Sequence, residues 1–150
     1  MRLHHCLTLS CLALYCVALA APAGAVTQVE AERIASAYIA SLPPADVTYD
    51  AVKTVIGDLD ADGKPEVVVQ KALLGPTYWS YQLEVFVDRG KGYVHAGTGD
   101  LWGDVQSIAI DQGVVVVKSR MPAPNDPRCC PTLDKTYRYR WQNGRLIELK

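Results

Sequence analysis

The stretch Thr136-Tyr137-Arg138-Tyr139-Arg140-Trp141-Gln142-Asn143-Gly144-Arg145-Leu146-Ile147-Glu148-Leu149 decides the fold. Tyr137, Tyr139 and Trp141 alternate with Arg138 and Arg140, so a strand here has one aromatic face for a core and one cationic face for water. Asn143-Gly144 then separates two alternating runs. Both residues tolerate positive φ, which a two-residue type I′ turn requires at both central positions. The reading is an antiparallel hairpin closing the chain.

The same pattern recurs upstream. Residues 105–110 and 114–118 flank Asp111-Gln112-Gly113. Tyr81, Leu83, Val85 and Val87 alternate with Gln82, Glu84 and Asp88, and Asp88-Arg89-Gly90-Lys91-Gly92 turns the chain into Tyr93-Val94-His95-Ala96. Residues 52–57 and 66–72 are rich in β-branched side chains and flank an Asp/Gly loop. Nothing helical separates these strands, so parallel crossovers are excluded and a meander follows.

One helix precedes them. Thr27 with Glu30 three places on is a capping box, with Val26 ahead of it as a staple. Ala31, Ile34, Ala35, Tyr38 and Leu42 then recur at helical spacing until Pro43-Pro44 stops the run. The expected fold class is α+β, mainly β: an N-terminal helix, then an antiparallel β-meander of about eight strands, open-sheet or partial propeller-like.

Residues 1–25 read as a secretory signal and residues 26–150 as a single mainly-β domain. Arg2, His4 and His5 form a basic start, Cys6 to Ala20 is uncharged and apolar, and Ala21-Pro22-Ala23-Gly24-Ala25 offers a cleavage site after Ala25. The apolar run is shorter than the ~20 residues a membrane helix needs. Lipid attachment has poor sites. Cys11 has Thr8 where such sites carry Leu, and Tyr15 stands before Cys16 where a small residue belongs. The expectation is a periplasmic or secreted protein with no integral membrane segment after cleavage.

Composition narrows the class further. Hydrophobic residues make up 49% and charged ones 21%, with net charge −1, which excludes disorder driven by charge. Fifteen basic against sixteen acidic residues leave no footprint for a phosphate backbone, so nucleic acid is excluded as a partner. Cys6, Cys11 and Cys16 leave with the signal. The adjacent Cys129 and Cys130 remain, and an oxidising compartment favours a vicinal disulfide over free or intermolecular thiols. Two thiols and His95 cannot fill a zinc site.

Chemistry concentrates in Gly57-Asp58-Leu59-Asp60-Ala61-Asp62-Gly63-Lys64-Pro65-Glu66. Carboxylates at relative positions 1, 3 and 5 of a tight loop converge on one point, Gly63 at position 6 permits the turn, Lys64 at 7 offers its carbonyl, and Glu66 at 9 closes the shell. Oxygen-only ligands in that order suit Ca²⁺. Position 12 holds Val69 rather than a bidentate Glu, and the flanks read as strands, so this is not an EF-hand. The alternative is an acidic turn kept soluble by its charge.

At these residues the chain resembles a known family. Asp58-x-Asp60-x-Asp62-Gly63-x-x-Glu66-Val67 is similar to the strand-flanked calcium loop of FG-GAP and VCBS repeats, found in propeller blades. The resemblance covers about residues 55–70, in a single copy, and implies Asp58, Asp60, Asp62, Lys64 (through its carbonyl) and Glu66 as calcium ligands. With its leading helix, Cys-Cys-Pro and Tyr-Arg-Tyr-Arg-Trp strand, the whole chain also resembles small secreted bacterial proteins. Periplasmic inhibitors of peptidoglycan hydrolases, such as the invertebrate-type lysozyme inhibitor, are similar at the level of fold alone.

Catalysis has little to stand on. His95 reads as a structural histidine, and no nucleophile elbow, phosphate loop or metalloprotease motif is present. Asp100 and Asp104 are the best carboxylate pair for glycoside hydrolysis, though Gly and Asp around Trp102 also spell a turn. Tyr78, Trp79 and Trp102 sit beside Gly and Pro, where recognition loops lie, and suit a saccharide or protein partner. The leading expectation is a non-enzymatic, calcium-stabilised binding module. The alternative is an inhibitor or immunity-like protein that presents residues 121–131 to a cell-wall hydrolase, and the third reading is a cell-wall enzyme.

Overall fold

In a computed structural model, residues 25–127 and 129–150 are described. The signal reading therefore lies outside the described residues, apart from Ala25. Helix α1 (Gln28–Ser41) is followed by β1 (Thr48–Gly57), β2 (Glu66–Leu74), β3 (Trp79–Asp88), β4 (Tyr93–Leu101), β5 (Asp104–Asp111), β6 (Val114–Met121), β7 (Leu133–Gln142) and β8 (Arg145–Glu148). The fold is mainly β with one N-terminal helix, as expected. The meander divides after β4 into two four-stranded antiparallel sheets, β1-β2-β3-β4 and β5-β6-β7-β8. No closed barrel forms among these strands.

The two sheets pack face to face around one core. Val68, Leu83, Val85 and Leu101 from the first sheet meet Ile108, Val115, Val117, Tyr137, Tyr139 and Trp141 from the second. Alternation dictates this, because every second residue of a strand points the same way. The aromatic face of β7 goes inward and Arg138 and Arg140 go out. At the turn, Asn143 (φ 52°) and Gly144 (φ 74°) both take the left-handed region, as type I′ requires.

The other face of the first sheet is covered by α1. Thr27 caps the helix by accepting from the Glu30 backbone N–H at 3.2 Å. The reciprocal half of the capping box is absent, because the Glu30 carboxylate accepts from Arg33 instead. Ala31 and Ala35 are fully buried against Val67, Val69 and Phe86. Small residues on the helix let it lie close to the sheet. Burying Phe86 alone is worth about 1.5–3 kcal/mol.

Candidate functional site

Because the strands run up and down, successive connections fall at alternate ends of the molecule. The β1–β2, β3–β4, β5–β6 and β7–β8 turns share one end, and the β2–β3, β4–β5 and β6–β7 connections share the other. The acidic loop belongs to the first end. Tyr78, Trp79, Trp102, Cys129 and Cys130 belong to the second.

In the acidic loop, Asp58, Asp60 and Glu66 each place a carboxylate oxygen within 4.8 Å of the others. Three of the expected side-chain ligands therefore converge. The loop is shaped by its own side chains: Asp58 Oδ2 accepts from Gly63 N–H at 3.0 Å, and Asp60 Oδ1 from Asp62 N–H at 3.2 Å. Asp62 stands outside the triad, with its Oδ1 accepting from Lys64 N–H at 2.7 Å. Leu59 is 5% exposed and plugs the end of the core between Asp58 and Asp60.

Glu66 opens β2 and is only 3% exposed. Its Oε2 accepts the Leu59 N–H at 2.7 Å. Burial raises its pKa above the ordinary carboxylate value; the Leu59 hydrogen bond opposes this, and the charges of Asp60, Asp62 and Asp58 add to the rise. Asp58 Oδ1 is buried with no hydrogen-bond partner among the described residues. Hard oxygen donors gathered around an orphaned buried oxygen fit a divalent cation such as Ca²⁺.

At the opposite end, a groove of about 780 Å³ opens where the two sheets part, and Trp79, Trp102, Arg120, Cys129 and Pro131 are among its walls. Trp79 continues the inward-facing series Tyr81, Leu83, Val85 to a level where the core gives out, and it is 59% exposed. Trp102 sits in the short β4–β5 connection and is 57% exposed. Tyr78 lies beside the groove: its ring occupies the space a side chain at Gly75 would need. The Sγ atoms of Cys129 and Cys130 face each other, with Cα atoms 3.8 Å apart. Asp126 pins the β6–β7 connection by accepting from the N–H groups of Ala123 and Thr132, both at 2.7 Å.

The remaining candidates separate. Asp100 is in β4 and accepts from the Gln82 amide at 3.0 Å, while Asp104 begins β5 in the other sheet and accepts from Gln106 at 2.8 Å. His95 stacks on Tyr38 with ring centroids 5.0 Å apart, and its Nε2 meets Glu84 at 2.6 Å. Alternation with core positions puts Glu84 on the second face of β3, and the sequence does not say what covers that face. Glu84 is fully buried because α1 covers its face of the sheet, and it also meets the Lys71 ammonium and the Thr98 hydroxyl. Leu59 was likewise hidden among acids that drew the reading elsewhere.

Two sheets under one helix, with an acidic loop at one end and an aromatic groove at the other, define the class by architecture. No family model, curated protein or solved structure matches the chain.

Proposed function

We propose that the chain is an exported, non-enzymatic binding module whose β1–β2 hairpin is braced by calcium. The observation that carries this reading is Glu66, a nearly buried carboxylate beside Asp60 and the unpartnered Asp58 Oδ1. Without a cation these groups repel and Glu66 holds its proton more tightly. A divalent ion relieves both. Asp62 and the Lys64 carbonyl are the further oxygen donors in the same loop that would complete the set. Export, and the oxidised Cys129–Cys130 pair that an oxidising compartment favours, belong to the same reading.

The test is thermal unfolding in calcium and in chelator. Calcium at about 100 times its dissociation constant stabilises the native state by about 2.7 kcal/mol if it does not bind the unfolded chain. Asp60→Asn shrinks that response, Asp111→Asn leaves it intact, and magnesium substitutes poorly because it keeps its water and a tight octahedron. Coincident melts in millimolar calcium and chelator reduce the loop to an acidic turn.

A second reading, inhibition of a cell-wall hydrolase, is favoured by the β6–β7 connection, where Asp126 ties Ala123 to Thr132 and so reduces the ordering cost of presenting it. Loss of lysozyme activity on adding the purified protein supports that reading, and unaltered activity ends it.

A further inference from the structure

We infer that the groove between the β2–β3, β4–β5 and β6–β7 connections binds an uncharged, pyranose-based oligosaccharide. The inference deepens the binding-module reading and rests on it.

The first argument is the origin of the groove. Leu74 of β2 and Trp79 of β3 are ladder partners on the core-facing side of the sheet, Leu74 one step beyond buried Ala72 and Trp79 one step beyond half-buried Tyr81. They continue the core surface to a level where it is no longer covered. Exposing an indole there costs stability, because a buried tryptophan is worth far more than an open one. Trp102 is likewise open, at 57% exposure, although its neighbour Gly103 lies so close to the Arg120 carbonyl that a side chain there would collide with it. Two open indoles, one opening β3 and one in the β4–β5 connection, thus share one concavity. Its volume falls within the range of about 300–1,000 Å³ usual for small-molecule sites.

The second argument is the polar equipment. Asp104 and Arg120 are ladder partners at the groove, one acid and one base. Asp104 accepts from Gln106 through Oδ2, and Arg120 spends its Nε on Asp134 at 3.3 Å. Among the described residues, that leaves Asp104 Oδ1 and the two Arg120 Nη groups for a ligand. Carboxylate and guanidinium are planar, two-pronged groups whose prongs match the spacing of adjacent hydroxyls: one accepts from a diol, the other donates to it. With Asp134 also against Arg120, the described groups carry no excess of positive charge to draw an anion, and the guanidinium beside Asp104 works against a cation.

A ligand that satisfies both features has apolar C–H faces for the indoles and a rim of neighbouring hydroxyls for the planar groups. A pyranose ring has both. A peptide anchor would instead seek a closed apolar pocket, and this groove is open.

The experiment is fluorescence titration of the purified protein with neutral cello-, malto- and chito-oligosaccharides, and with an oligogalacturonate as the charged comparison. At least one neutral series gives a saturable blue shift of tryptophan emission. Trp102→Ala weakens that binding by more than about tenfold and Arg120→Gln by about tenfold, while Arg145→Gln, at the far end, does not change it. The inference is overturned if no neutral series saturates by about 10 mM, if only the charged oligomer binds, or if Trp102→Ala binds like wild type. Melts of each variant confirm that it is folded. A protein that calcium stabilises but no glycan binds overturns this inference alone; one that binds glycan without responding to calcium overturns the calcium brace alone.

Discussion

The Glu84 carboxylate, with no solvent exposure, is held between the Lys71 ammonium on one oxygen and His95 Nε2, at 2.6 Å, on the other. The pair lies on the helix-covered face of the first sheet, and Lys71 also approaches the rings of Tyr38 and Tyr49, 5.7 Å from each centroid. Removing one member strands a buried charge. Lys71→Met therefore costs about 3–5 kcal/mol in urea denaturation, whereas the double change Lys71→Met/Glu84→Leu recovers most of the loss, since an apolar pair of similar volume replaces the ions. A double variant as unstable as the single one would show that this pair is not what the single change disturbs.

Tyr38 and Tyr139 predict the alkaline limit of the fold. Burial, then the charge and hydrogen bond of Glu84, and the Tyr49 phenol, push Tyr38 up to about 12. Burial first, then Glu148, Tyr137 and Asp100, push Tyr139 up to about 12. In the unfolded chain these phenols ionise near pH 10, so between about 10 and 12 the unfolded state binds fewer protons and stability falls as pH rises. Below that window the two groups contribute fully. Melting followed through it declines, and Tyr38→Phe makes the decline shallower. An equal slope in Tyr38→Phe would show that Tyr38 does not keep its proton.

Legibility tracked periodicity. Tyr137, Tyr139 and Trp141 announced β7 because a period of two is visible to the eye and its burial follows from it. The same rule is silent on Glu84, because alternation marks the second face of a strand without saying whether water or a helix covers it. The acidic loop was legible as a spacing, and Asp58, Asp60 and Glu66 do converge. What spacing could not give was Leu59 turned into the core, or Asp62 engaged with Lys64. Trp79 and Trp102 stood out singly by composition. Their shared groove depends on the chain passing from one sheet to the other after Leu101, which no local pattern encodes.

The two tight turns carry unequal strain. Asn143 and Gln112 both sit in the left-handed region, at φ 52° and 48°, each followed by a glycine. Asn adopts that region readily and Gln does not, the usual penalty being about 1–2 kcal/mol. Asn143→Val therefore lowers stability by about that amount, because β-branching makes the region costlier still. Gln112→Asn raises it by up to about 1 kcal/mol. Chemical denaturation of both variants checks the pair, and opposite signs are the expected outcome. A neutral Asn143→Val would count against the type I′ turn.

Gly103 fixes the corner at which the chain passes from one sheet to the other. Its φ is +78°, and a side chain there would fall on the Arg120 carbonyl and against Met121 Sδ. The connection between Leu101 and Asp104 is so short that it cannot bulge away; it must press onto the end of β6. Gly103→Ala meets two penalties at once: about 1–2 kcal/mol for a non-glycine in the left-handed region, and a displacement of β6 or of the corner itself. The second penalty has a local reporter, because Trp102 is the neighbouring residue. The expected result is a lower midpoint in urea together with an altered tryptophan emission in the still-folded protein. Gly90→Ala, with φ +81° but open space around it, is the control: it carries the backbone penalty without the collision. If the two variants lose equal stability and neither changes the emission, contact with β6 does not set the corner. If Gly103→Ala loses more and shifts the emission, the close approach positions Trp102 at the mouth of the groove.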